Sequence, residues 1–578
     1  MANTLLDLFE KNPQLLEWRD KVTLLSRQLV MGFSGSSKAV VMASALSEQV
    51  PKILIVTSTQ NEAEQLTGDL SAILGEDKVY SFFADDVVAA EFIFASPEKT
   101  HSRLESLNFL IDKEASGILV TSLVGTKLHL PNPEVYKDSR IDLTLGEEHD
   151  LEALSKHLTH IGYQRVEQVL SPGEFSRRGD ILDIYELTAE LPYRLEFFGD
   201  EIDGIRQFDS DSQKSLDNLE HIIVSPADDI ILTREDYQRA EKALESAVSK
   251  AEGPHKAYLE EVLSVTIDGY RHKDLRKFLS LFYDKAYTLF DYLPKGTPVF
   301  IDDFQKIVDR HGRLELEVAN LLTEDLHQGK SLSHLNYLVD SFKTLRNYQP
   351  ASFFSNFHKG LGNLKFDKLY QFTQYPMQEF FNQFPLLVDE IHRYTKNKAT
   401  VILQVGSEKQ LKSLKETLEE YDLDLPLSSF GDLIPHKPQL VLGNLSNGFY
   451  FADEKLVLVT EREIFHKKVK RRARASHVSN AERLKDYNEL EKGDYVVHQT
   501  HGIGQFKGIE TIEIKGVHRD YLTIQYQDAA TISLPVEQIE SLSKYVSDGR
   551  EKPKINKLMM GVSKRLNKSK QQVEDIDR

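Results

Sequence analysis

Five short apolar stretches do most to limit what this chain can become: KILIVTS (52–58), GILVTSLVG (117–125), the head of VFIDDFQKI (299–307), TVILQVGS (400–407) and KLVLVTE (455–461). Each is the length of a strand and too short for a core helix. Between them stand segments with helical spacing, NEAEQLTGDLSAIL (61–74), a charged stretch over 234–262, and EKQLKSLKETLEEY (408–421). Apolar runs alternating with amphipathic helices mark a multidomain α/β chain, and 578 residues exceed what one hydrophobic core serves. Residues 126–226 break the pattern. Prolines 131 and 133 and the polar KDSRIDLTLGEEHD lead into strand-like segments separated by turns, after which α/β text resumes.

The segments therefore predict one α/β domain over 1–125 plus 227–345, interrupted by an α+β domain at 126–226, and a second α/β domain over 350–465. A basic linker at 466–481 and a small all-β barrel at 482–548 follow, with 549–578 as a tail. No run approaches the ~20 apolar residues of a membrane helix, and the amino terminus carries acids along its length and lacks a signal-peptide apolar segment, so a cytoplasmic protein without membrane contact is expected. Cysteine is absent, which excludes disulfides, thiolate zinc sites and a cysteine nucleophile. His498 and His501 have no third ligand at useful spacing, and no metal site is expected. A net charge of −19 argues against a continuous nucleic-acid surface. Only the basic run of Lys467, Lys468, Lys470, Arg471, Arg472 and Arg474 is placed for phosphate contact, and without interleaved aromatics it is first a solvated linker.

LVMGFSGSSKAV (29–40) approaches a phosphate-binding loop, G-x-x-x-x-G-K-[ST], without completing it. Gly32 and Lys38 are in place, but Ser37 adds a β-carbon where the chain must approach phosphate, and Ala39 has no hydroxyl for Mg²⁺. Asp302 and Asp303 end an apolar strand where a metal-binding acid pair would stand. No arginine-finger motif accompanies them, so hydrolysis by this chain is not expected. The competing possibilities are a weak ATPase built on Lys38, Asp302 and Asp303, and a local DNA-binding module built on 467–474.

In YRLEFF (193–198) the strand period puts Tyr193, Leu195 and Phe197 on one face and Arg194, Glu196 and Phe198 on the other. The first set makes a core. The second sets an aromatic beside charges, a composition typical of protein-binding patches, unless Phe198 turns under the following GDEIDG loop. Arg178, in SRRGD before DILDIY, stands near Arg194 if the two strands pair. In 490–546, Leu522, Ile524 and Tyr526 alternate with polar residues, as do Ile532, Leu534 and Val536.

EQVLSPGEFSRRGDILDIY and LPYRLEFFGDEIDGIRQFD resemble the segment shared by the UvrB and transcription-repair coupling factor families, and VVHQTHGIGQFKGIE resembles the RNA-polymerase-interacting, CarD-like (Tudor-like) domain of the latter. The degraded LVMGFSGSSKAV matches the coupling-factor version, a RecA/UvrB-like module that has lost its nucleotide site. The resemblance implies that the inserted domain binds UvrA through positions that fall on Arg178, Arg194 and Phe198. It implies that a strand edge over Ile509, Thr511, Ile512, Glu513 and Ile514 meets the RNA polymerase β subunit, with Ile512 as an apolar contact. In complete family members ATP and Mg²⁺ serve a translocase module, whose start 549–578 resembles before the sequence stops. This implies no bound cofactor in the present chain and duplex DNA contact that is weak or left to the motor. A transcription-coupled repair adaptor between polymerase and UvrA is the function implied.

Overall fold

The computed structural model describes residues 4–9, 12–93, 97–210, 212–355 and 364–466, and, further on, 481–483, 492–498, 502–514, 517–526, 531–535 and 542–545. The chain forms two compact units, residues 1–473 and 474–578.

The first unit is built on a seven-stranded sheet. Its order across the sheet is Lys368–Gln371, Arg27–Met31, Ala351–Ser355, Val299–Asp302, Lys52–Thr57, Gly117–Ser122 and Val79–Phe82, and every pairing is parallel. Parallel strands covered on both faces need apolar side chains of both parities, which explains the unbroken apolar runs. Leu54, Val56, Leu119, Val299, Ile301 and Phe353 enter the core on one face; Ile53, Ile55, Ile118, Val120, Phe300 and Phe354 enter the core on the other. Helices cap in order behind these strands: Thr59 accepts from the Glu62 N–H to start Gln60–Leu74. The charged stretch 234–262 resolves into two helices, Arg234–Val248 and Gly253–Ile267. The single tryptophan, Trp18 on helix Pro13–Lys21, is fully buried between Phe300 and Phe354 and donates its indole N–H to Ser352 Oγ at 3.0 Å.

Ala351–Ser355 and Lys368–Gln371 lie inside this first sheet, on either side of Arg27–Met31. They are therefore strands of the first sheet and not of the unit the sequence pattern opens at residue 350. The strand they share as a partner, Arg27–Met31, lies more than 300 positions away along the chain, a distance over which pattern carries no pairing information.

Between Gly117–Ser122 and Val299–Asp302 the chain makes a second, six-stranded sheet. Glu174–Arg178, Ile181–Ile184, Tyr193–Phe198, Glu201–Phe208 and Ser215–Leu219 run as an antiparallel meander, with the short strand Gln164–Arg165 at its edge. Its inward side chains Phe175, Leu182, Ile184, Leu195, Phe197, Ile202 and Ile205 belong to the same apolar cluster as one face of the parallel sheet. A third sheet carries Gln374–Pro376, Phe449–Phe451, Leu456–Val459, Thr400–Val405, Pro438–Leu442 and Leu427–Ser428 in that order. One of its faces, through Ile402, Val441, Phe449 and Phe451, shares a core with Val30 of the first sheet and with Phe33 and Leu445, which lie beyond the strand ends.

In the second unit the described strands form one six-stranded antiparallel sheet, ordered Ala481–Arg483, Leu542–Tyr545, Tyr495–His498, Gly502–Ile514, Val517–Gln525, Thr531–Pro535. Leu522, Ile524 and Tyr526 are buried, as their alternation predicts. No helix among the described residues is long and apolar enough to cross a membrane.

Candidate protein-docking site

Strand order in the meander decides the geometry of the first candidate site. Asp183 pairs with Arg194 on one side and Ser176 on the other, while Arg178 pairs with Ile181, which pairs with Glu196. Side chains of one parity on these strands share the face away from the core. Phe198 lies on this face with 82% of its surface exposed, the most of any large apolar side chain among the described residues. It does not fold under the GDEIDG loop. Its neighbour Glu196 pairs with Arg206 at 2.8 Å.

Arg194 and Arg178 share this face but not the same surroundings. The Arg194 side chain is only 14% exposed. Its Nε and Nη2 donate to the two oxygens of Asp183 at 2.7 and 2.9 Å, its Nη1 and Nη2 reach Gln213 at 3.3 Å, and its guanidinium lies 4.3 Å from the Phe208 ring centre. The bonds to Asp183 raise its pKa above the ordinary arginine value. Sequence pattern and family resemblance alike point to Arg194 as a contact residue, yet most of its hydrogen-bonding capacity is spent inside the domain. Arg178 is 52% exposed and gives one N–H to Asp183 at 2.9 Å. The carboxylate that joins them is fully buried. Asp183 was missed in the sequence; its one signal there is an acid set between Leu182 and Ile184 in a strand otherwise apolar at those places.

The incomplete phosphate loop is closed by the chain itself. Ser34 N–H and Ser37 Oγ both donate to Gln374 Oε1, at 3.0 and 2.5 Å, and the Gln374 amide N–H group reaches Ser34 O and Oγ at 3.3 and 3.1 Å. Ser37 Oγ is within 2.8 Å of Ser34 O, so the hydroxyl that interrupts the motif is spent holding the loop. Gly32, at φ +96°, lies so close to the Phe372 carbonyl that a β-carbon there would stand 1.9 Å from the oxygen. A β-carbon on Gly35 would stand 2.9 Å from Asn447 Cβ, and the Asn447 N–H donates to Ser36 Oγ at 2.9 Å. Lys38 Nζ is engaged by Asp302 Oδ1 at 2.5 Å with both side chains 14% exposed. Ala39 is buried, and Asp303, at φ +54°, is 3.7 Å from Lys306 Nζ. The predicted residues Gly32, Ser37, Lys38 and Asp302 are thus brought together, with Gln374 of the third sheet, the Phe372 carbonyl and Asn447 set against the loop. Gln374 and Asn447 carry no sequence signal for this, standing about 340 and 410 positions from their partners.

Ile509, Thr511, Ile512, Glu513 and Ile514 fall within strand Gly502–Ile514, whose backbone pairs antiparallel with Val517–Gln525, Ile512 opposite Arg519. Their side chains lie outside the described residues, as do Lys467, Lys468, Lys470, Arg471, Arg472 and Arg474 and residues 549–578.

Over almost its whole length the chain is similar to known proteins. It is 34% identical over 565 residues to a transcription-repair-coupling factor of Bacillus subtilis (strain 168), covering 96% of this chain and 48% of the relative. Factors of the same name from Staphylococcus haemolyticus (strain JCSC1435) and Staphylococcus aureus (strain bovine RF122 / ET3-1) are 31% and 30% identical over 559 residues, 95% of this chain and 48% of theirs. What this chain is similar to is thus about half of a transcription-repair-coupling factor. Three family models match in the same sense: the UvrB interaction domain at 141–229, the MFD D3 domain at 394–464, and the CarD-like/TRCF RID domain at 490–546. The first covers the meander that carries Phe198, and the last covers five of the six described strands of the second unit, all but Ala481–Arg483. The chain spans about half the length of the curated relatives it matches.

Proposed function

We propose that this chain works as an adaptor in transcription-coupled repair, holding UvrA through the open face of the meander and the RNA polymerase β subunit through strand Gly502–Ile514. The observation that carries the proposal is Phe198, an aromatic ring left 82% exposed on the same sheet face as the half-exposed Arg178, in a segment similar to the UvrB interaction domain. Aromatic and arginine side chains dominate the energetics of protein interfaces because they bring large area and directional bonds at low entropic cost. The match of 490–546 to the CarD-like/TRCF RID domain supports the polymerase contact. A role without nucleotide turnover in these residues is supported by the engagement of Lys38 with Asp302 and of the loop with Gln374.

Capture of purified UvrA and of the polymerase β subunit by the purified chain tests the proposal. Both are expected to bind, and Ile512→Arg is expected to reduce capture of the β subunit at least tenfold with UvrA capture intact. Failure of the unaltered chain to hold either protein would end the adaptor proposal, and equal loss of both on Ile512→Arg would assign that change to misfolding.

A further inference from the structure

The meander face holds a carboxylate that no part of the adaptor proposal uses. Asp183 is completely buried, yet it accepts three N–H bonds, two from Arg194 and one from Arg178. A buried charge must be paired to be tolerated, and Arg194 alone, in its two-bond arrangement, already supplies the pairing. Arg194 is fixed from several sides, by Asp183, by Gln213 and by the Phe208 ring beneath it. Arg178 differs. Among the described residues Asp183 is its one hydrogen-bond partner, reached through Nη2 alone, and half the side chain remains in solvent. That single bond limits the sweep of the long side chain and leaves Nη1, Nε and the second Nη2 hydrogen without a partner among the described residues, so that a two-bond edge of the guanidinium can still be completed.

We propose that Asp183 is a positioning residue: it sets the Arg178 guanidinium in a fixed orientation to receive a carboxylate of the partner protein, alongside a partner pocket that takes Phe198. Arg178 lies across two strand spacings from Glu196, and Phe198 is two residues further along that strand. The two anchors are thus roughly 12 Å apart at the backbone, from ~4.8 Å between strands and ~3.3 Å per residue. The partner surface that fits carries an acidic side chain and an apolar pocket at that separation. Arg178, Arg194 and Asp183 together carry one net positive charge, so orientation and charge make opposite forecasts when Asp183 is neutralised. This inference rests on UvrA being the partner of the face.

The test uses the whole chain and purified UvrA, with affinity measured at about 50 mM and about 300 mM salt, conditions under which exposed charges are weakly and strongly screened. Asp183→Asn keeps the shape of the side chain and adds one positive charge to the face. The expected result is affinity weakened at least tenfold at both salt concentrations, and no further loss beyond about threefold when Asp183→Asn is added to Arg178→Ala, since a positioning residue has nothing left to position. Arg178→Lys keeps the charge at an exposed place that does not endanger folding, and is expected to weaken binding at least fivefold because an ammonium lacks the planar fork. Equal or tighter binding by Asp183→Asn would overturn the proposal, showing attraction by charge alone. Unchanged affinity for Arg178→Lys would overturn it independently, and additive losses in the double variant would mark Asp183 as purely structural. If the unaltered chain does not bind UvrA, the adaptor proposal and this inference fall together; if it binds and Asp183→Asn binds as well, this inference falls alone.

Discussion

Replacing Phe198 by alanine separates docking from folding, and its neighbour Arg194 provides the contrast. With 82% of the ring exposed and a phenylalanine surface of ~200 Å², about 160 Å² of apolar area stands open to a partner. At ~25 cal/mol per Å² that area supplies at most about 4 kcal/mol. Ordering of the interface and imperfect packing reduce it, and an anchor truncated to alanine loses about 2 kcal/mol, roughly thirtyfold in Kd. Stability is expected to move by less than about 0.5 kcal/mol, because a ring in solvent contributes little packing in the free chain. Arg194→Ala removes two of the three bonds to a fully buried carboxylate and the cation over Phe208. Breaking one side of a buried pair costs about 3–5 kcal/mol, and the lower end applies because Arg178 remains. Titration against purified UvrA gives the first quantity, and hydrogen exchange of amides in strands 174–219 gives the second. An unchanged Kd for Phe198→Ala, or exchange in that variant accelerated as much as in Arg194→Ala, would refute the assignment of the ring to the surface and the arginine to the frame.

Two further outcomes concern the phosphate loop. Gly32→Ala adds a β-carbon against the Phe372 carbonyl at φ +96°, and is expected to destabilise the first unit by about 3 kcal/mol, combining left-handed backbone strain with overpacking. Gly296→Ala, at φ +85° with nothing within 4 Å, meets only the strain and is expected to cost about 1 kcal/mol in the same denaturant titration; equal effects would contradict the close approach. Lys38→Ala leaves Asp302 without its ion-pair partner and is expected to cost about 2 kcal/mol. Calorimetry with Mg-ATP is expected to show no heat for either the unaltered chain or this variant, and micromolar binding abolished by Lys38→Ala would restore the ATPase alternative.

Local pattern served well wherever one side chain's environment is set by its own strand. The period of two in YRLEFF separated Leu195 and Phe197 from Phe198, and the exposed ring follows from that parity. It could not separate Arg194 from Arg178, because their difference lies in Asp183, Gln213 and Phe208, residues on other strands and loops. The missing glycine and hydroxyl at Ser37 and Ala39 were visible as departures from a motif, but the engagement of the loop by Gln374 and Asn447 was not, since those two residues have no pattern of their own.

The order of apolar runs and helical segments was enough to establish an α/β chain with a strand-rich insertion, because burial on both faces of a parallel sheet leaves its imprint on each strand separately. Which strands lie side by side was decided only in three dimensions. Ala351–Ser355 and Lys368–Gln371 flank Arg27–Met31 because backbone groups there find partners and the core closes around Trp18 and Phe354, a choice made by contacts between distant segments. The same holds for the candidate site: strand period places an arginine and an aromatic on one face, and the folded packing determines which of them stays exposed.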